Sequence, residues 1–233
     1  MTETTHHAHP AATGFHKLLK EGTQDLHDQA ESGEFQSRMV EGDLARSEFA
    51  SFLAQMLNLH CEIDAIYDEA AEKDHRFASI YDSTIHKRHS LIQRDLSDLG
   101  VEDVSPAFGV TTSFTDAVRH ALATLPVSVL GLLYVKEGAT NGNKFVLRKI
   151  QETLGLADTC ATGYMDPHGM KQRKRWNQFK RDLNELELTP EEQESCLGIA
   201  RRSFSMFMEI SGSVSKQFDI EQAEASLLLG SQE

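Results

Sequence analysis

Residues 49–66 read FASFLAQMLNLHCEIDAI, and the apolar residues Phe49, Phe52, Leu53, Met56, Leu59, Ile63 and Ile66 recur every three or four positions. That spacing lays them along one stripe of an α-helix, whereas a strand would alternate every second residue. Asp43 stands ahead of the stripe as a candidate N-cap. The same period recurs outward in both directions, and no stretch alternates for long enough to make a strand. Toward the N-terminus, helices are expected over 15–32, capped by Thr13 and stopped at Gly33, and over 34–40, with a turn at Gly42. Toward the C-terminus they are expected from Ser83 to Leu99, from Phe114 to Leu125, from Pro126 to Leu154, from Met170 to Leu186 and from Pro190 to about Phe218. The expected fold is all-α, a single-domain multi-helical bundle. Residues 1–12 read as a disordered leader, 13–220 as the helical domain and 221–233 as a loosely held tail.

Composition narrows the function. A chain of 233 residues with 39% hydrophobic and 25% charged residues can bury one sizeable core. A formal net charge of −13 argues against nucleic acid as a partner, which needs a cationic surplus. The most apolar run, Pro126 to Tyr134, is far shorter than the ~20 residues of a membrane span. The opening MTETTHHAHPAAT lacks the cationic start and apolar centre of a signal peptide, so a cytoplasmic protein is expected. Cys61, Cys160 and Cys196 form no CxxC pair, which favours free thiols over disulfides or a thiolate metal site.

Two segments carry chemistry. In residues 137–144, Glu-Gly-Ala-Thr-Asn-Gly-Asn-Lys, the pair Gly138 and Gly142 with Asn141 and Asn143 weakens a helix by up to ~1 kcal/mol per glycine. Read on these residues alone, the simpler meaning is a break, two helices joined by a Thr-Asn-Gly-Asn turn. The alternative is one helix whose bare backbone lies on a flat ligand. On the first helix, Lys20, Thr23, Gln24, His27 and Glu31 share one side. Glu31, one turn after His27, can accept a hydrogen bond from the imidazole nitrogen that is not bound to a metal.

Taken together the segments resemble the haem oxygenase family. The stretch from Leu19 to Glu31, LKEGTQDLHDQAE, is similar to that family's proximal helix, and residues 86–96, HKRHSLIQRDL, to a later family helix. Tyr134 to Ile150, with Gly138 and Gly142, resembles the distal helix that passes over the haem. Trp176-Asn177-Gln178-Phe179, following Tyr164 and Gly169, is closest in character to the bacterial branch, and Leu186–Pro190 and Ala200–Phe204 match in position.

The resemblance implies a haem oxygenase: O2-dependent cleavage of haem to biliverdin, CO and Fe2+, with electrons from an external reductase or ferredoxin. His27 would be the axial ligand of the haem iron and Glu31 its hydrogen-bonding partner. Gly138 and Gly142 would crowd the opposite face, with Asn141 able to organise water there. Lys20, Arg201 and Arg202 would meet the haem propionates, and Gln24 stands where some members carry a propionate-binding lysine. One departure is Ala139, at a position where many members place an aspartate that orders distal water. Two alternatives follow: a haem-binding protein without turnover, and a non-haem di-iron oxidase on the same bundle. For the second, the sequence offers Glu72-x-x-His75 and the pair His86 and His89. His6, His7 and His9 fall in the leader. The basic run Lys171, Arg173, Lys174, Arg175, Lys180 and Arg181 reads as a solvated helix face, or as a dock for an acidic redox partner.

Overall fold

The computed structural model describes residues 13–230. Among them every regular element is helical: α1 (Gly14–Glu31), α2 (Glu34–Glu41), α3 (Arg46–Lys73), α4 (His75–Ile80), α5 (Ser83–His86), α6 (His89–Asp98), α7 (Gly109–Thr124), α8 (Leu130–Leu154), α9 (Thr162–Met165), α10 (Gln172–Glu185) and α11 (Pro190–Gly230). All seven stripe residues of α3 are buried, and with α8 and α11 they form the centre of one continuous core. No helix is long and apolar enough to cross a membrane.

Several expected boundaries move, each for a visible reason. Asp43 does not cap α3. Gly42, in the left-handed region at φ 77°, closes α2, and the N–H groups of Gly42 and Asp43 both donate to the Arg38 carbonyl. Ala45 takes the cap position of α3 without any side-chain bond. The helix expected from Ser83 splits at Lys87–Arg88, because the buried Asp64 carboxylate of α3 accepts the backbone N–H groups of Arg88 and His89. It thereby caps α6 from a distant part of the chain. At the other end of the molecule, α11 continues past Phe218 to Gly230, and Glu221–Glu224 are exposed on it. The leader and its three histidines lie outside the described residues.

The segment 137–144 does not break. A short 3₁₀ turn over Pro126–Val129 leads into α8, which runs unbroken through Gly138, Gly142 and both asparagines. The helix survives its weak residues because its buried side is anchored before them by Leu130, Leu132, Leu133 and Tyr134, and after them by Leu147 and Ile150. A third glycine, Gly131, allows α8 to touch α11, since a Cβ there would lie 1.9 Å from the Cys196 carbonyl oxygen.

Helices α1 and α8 both rest on α11 but scarcely meet each other. Trp176 of α10 links them at one end, its ring 6.1 Å from His16 of α1 and 5.8 Å from Tyr134 of α8. At the other end α2 closes the gap, with Gly42 against Lys149 and Thr153 of α8. The result is a cleft with α11 as its floor.

Candidate haem site

His27 projects from α1 with its side chain 47% exposed, edge-on to the Phe204 ring of α11 at 6.0 Å. Two carboxylates flank it. Asp28 Oδ1 is 3.7 Å from Nδ1, and Glu31 Oε1 is 3.7 Å from Nε2. Both distances exceed a hydrogen bond, so the ring is held by neither. The resemblance would have Nε2 on a metal and Glu31 at the other nitrogen; here Glu31 faces Nε2, and a different imidazole rotamer is needed for that pairing. His27, Asp28 and Glu31 are the one group of three potential metal donors brought together among the described residues. Glu72 and His75 are exposed, on α3 and α4 respectively.

The remaining expected residues divide. Gln24 is exposed and donates from its amide to Asp28 Oδ1 at 2.7 Å, so it braces a neighbour of His27. Arg201 is already engaged: its guanidinium grips both Asp25 carboxylate oxygens at 2.7 and 2.8 Å, joining α11 to α1. Arg202 is exposed. Lys20 is exposed too, and it has a companion that the sequence placed only in the solvated basic run. Burial first, then the charges of Lys180 and Lys20, pull the His16 imidazole down to about 4. Lys180 sits with its ammonium 5.5 Å over the Trp176 ring, and burial followed by Lys20 lowers its own pKa. Two cations therefore gather where Trp176 closes the cleft. Of the basic run, Arg173, Lys174 and Arg181 are exposed as expected of a solvated face, while Lys180 is not.

The α8 wall is open. A Cβ added at Gly142 would meet nothing within 4 Å, and one at Gly138 only the Trp176 ring at 3.6 Å. Neither glycine has a positive φ, so the absent side chains matter for space and not for backbone conformation. Phe145, on the same face by spacing, is 75% exposed. Ala139 is exposed and Asn141 half-buried. One turn beyond His27 a cavity of about 300 Å³ opens between α1, α2 and α11, lined by Ala30, Phe35, Phe207 and Met208 together with the charged Glu34, Lys216 and Asp219. Open space at the α8 glycines, a partly apolar cavity next to the end of α1 and an exposed imidazole on α1 are features that suit a flat, largely apolar, metal-bearing ligand.

Residues 13–212 match the family model described as "Heme oxygenase". This chain belongs to the haem oxygenase family. Among relatives, it is 22% identical to heme oxygenase 1 of Bos taurus over 205 residues, covering 84% of this chain and 71% of that one. Two structures from the cyanobacterium Synechocystis share the fold. Heme oxygenase-1 in complex with heme superposes with a TM-score of 0.79 at 19% identity, over 95% of this chain and 100% of that one. Heme oxygenase-2 in complex with heme and NO gives 0.81 at 18% identity, over 95% and 93%. The fold also extends to a TenA homologue of Pyrococcus furiosus, with a TM-score of 0.64 at 15% identity, over 84% of this chain and 99% of that one. In this haem oxygenase family member, Lys180 lies against Trp176 and Phe204 against His27, places that the sequence, offering them only as part of a basic run and of a matching stretch, did not foresee. The clue available was that Lys180 follows Trp176 by one helical turn, which places a cation beside an aromatic ring.

Proposed function

We propose that this protein binds haem in the cleft between α1 and α8 and cleaves it with O2 to biliverdin, CO and Fe2+, using electrons from an external donor such as a reductase or ferredoxin. The observation that supports the reading is the unbroken passage of α8 through Gly138 and Gly142, with open space at Gly142, in a chain whose α1 carries the exposed His27 beside two carboxylates. Haem, when bound, supplies the redox chemistry and is itself the substrate. The chain's own residues bind and orient it. His27 would offer an imidazole nitrogen to iron, with Glu31 or Asp28 able to accept from the other nitrogen once the ring turns. Lys20 and Lys180 offer charge-assisted bonds to propionates, each worth ~1.5–3 kcal/mol. Arg202 can add a third, and Arg201 only by releasing Asp25. Gly138 and Gly142 would leave room beside bound haem for a diatomic molecule, and the half-buried Asn141 would be able to partner water there. The cytoplasm fits a helical protein of this composition.

Haem binding without turnover is the second reading, and it draws on Ala139, which leaves the exposed part of the glycine face without an acid. Haem titration followed by reduction in air separates the two, since the first predicts a biliverdin spectrum and the second a persistent haem spectrum.

A further inference from the structure

Large apolar side chains left in water collect at one end of the bundle. Among the described residues six are exposed, and four of them stand on three neighbouring elements: Val40 on α2 (59%), Phe145 on α8 (75%), and Ile220 and Leu227 on α11 (51% and 74%). Helix α2 brings the three elements together. Gly42 at its end packs against Lys149 and Thr153 of α8, and Arg38 stands 5.6 Å over the Phe218 ring of α11. Phe145 lies one turn before Lys149 on the same stripe of α8, Val40 two residues before Gly42, and Ile220 two residues after Phe218. Single apolar residues are ordinary on a surface, but a group gathered at one end marks a contact.

The end of α11 stands clear of the bundle. From Asp219 through Glu224, and again at Ser226 and Leu227, every residue is exposed. Ile220, Ala223 and Leu227 fall at i, i+3 and i+7, an apolar stripe of the kind that two packed helices share. So short a free end draws little stability from propensity alone, and its stripe calls for a partner surface. Charge selects that surface. Asp219, Glu221 and Glu224 flank the stripe, so two such ends laid on each other would set like charges together. The α8 patch offers the opposite sign: Lys144 holds its ammonium 4.8 Å over the Phe145 ring, and Lys149 is exposed one turn on. Arg148 adds a third cation, bonded to Glu152 of its own helix at 3.0 Å. Each surface carries a minority of the other sign, Lys216 on the tail and Glu41 with Glu152 on the patch.

We propose that this end of the bundle is the interface of a two-fold dimer, the last turns of α11 in each copy lying on α2 and α8 of the other. Ile220 and Leu227 of one copy cover Val40 and Phe145 of the second, while Glu221 and Glu224 face Lys144 and Lys149. Two-fold symmetry makes every contact twice, so one chain carries both halves of the match. A second copy suits these surfaces better than a foreign protein, because the acidic stripe and the basic patch lie at the same end of one molecule, where a single rotation satisfies both.

The dimer does not depend on haem, and the apo-protein serves for the test. Sedimentation velocity from about 1 to about 100 µM chain, the range in which modest interfaces form, should show a monomer–dimer equilibrium. Leu227→Glu and Phe145→Glu should each raise the dimer Kd about tenfold or more, with circular dichroism unchanged. Charge reversal sharpens the test. Lys144→Glu/Lys149→Glu and Glu221→Lys/Glu224→Lys should each be monomeric alone, since like charges then meet on both sides of the interface, and an equimolar mixture of the two should form a heterodimer. If the α8 variant does not fold, Leu227→Glu, on a free helical end, carries the test. Wild-type chain that stays monomeric throughout that range would leave these surfaces to a foreign protein and overturn the proposal. A dimer that Leu227→Glu and Phe145→Glu leave intact, or folded reversed chains that do not pair when mixed, would overturn it as well.

Discussion

A half-exposed histidine contributes little to packing, and this is what makes His27 a clean probe. Its neighbours within one turn are carboxylates that do not bond to it, and its one ring contact is the edge of Phe204. His27→Ala should therefore change apo stability by less than about 0.5 kcal/mol, while the ferric haem spectrum and normal turnover are lost. Circular-dichroism melts and a haem titration check both halves; full activity with an unchanged spectrum would remove His27 from the site. The cations divide by what already occupies them. Lys180→Glu should weaken haem binding about tenfold or more, and Lys20→Glu should act in the same direction. The Arg201–Asp25 pair is exposed and screened by solvent, so Arg201→Ala should leave the melting temperature nearly unchanged. Haem affinities and melts of the three variants measure these effects. At this scale the sequence disclosed what lies within a helical turn. The Lys20–Gln24–His27–Glu31 stripe follows from spacing alone. The partner of Arg201 and the approach of Lys180 to Lys20 depend on how α1 meets α11 and α10, and no local pattern records that.

Helix α8 holds three glycines with different jobs. A methyl at Gly131 would collide with the α11 backbone, which cannot yield as a side chain would. Gly131→Ala should thus destabilise the apo-protein by roughly 1–3 kcal/mol as an overpacked contact, despite a better helix propensity. Gly138 and Gly142 face space or the edge of a ring, in ordinary helical conformation. Leucine at either should hold or raise apo stability, by up to ~1 kcal/mol, while obstructing carbon monoxide binding to reduced haem. Apo melts compared with carbon monoxide affinity test the contrast. Stability lost at Gly142 with normal ligand binding would mean that the glycine serves the backbone. Propensity pointed to a turn here because it counts only local cost, whereas the apolar turns on either side carry the helix across. The split between α5 and α6 was equally hidden, since the carboxylate that caps α6 belongs to α3. By contrast the buried stripe of α3 was legible, though not its cap, because one apolar stripe and its burial are the same fact seen twice.

Across the whole molecule, buried and half-buried histidines set the acid limit. Burial, with nearby cations, lowers His16 to about 4, His86 to about 3 and His168 to about 4, and drives His60 well below its ordinary 6.5. The folded state keeps these rings neutral while the unfolded chain protonates them. Their stabilisation is complete above pH 6.5 and is lost as the pH falls from 6.5 toward 4 and 3, at up to ~1.4 kcal/mol per pH unit for each fully buried ring. Glu48 and Asp95, whose carboxyls burial raises, oppose this trend, but there are two of them against four histidines. Urea midpoints should fall steadily between pH 7 and 5; a flat profile would mean that the rings are solvated. The central claim concerns the whole chain as well, because α1, α8, α10 and α11 must all be in place for the cleft to exist. Its most direct measurement is absorbance of the purified protein, titrated with one equivalent of haem and then reduced in air with an external electron donor. The account predicts a haem–protein spectrum that decays to that of biliverdin with release of CO and iron. A protein that leaves haem unbound, or binds it and returns it intact through repeated reduction in air, would contradict it.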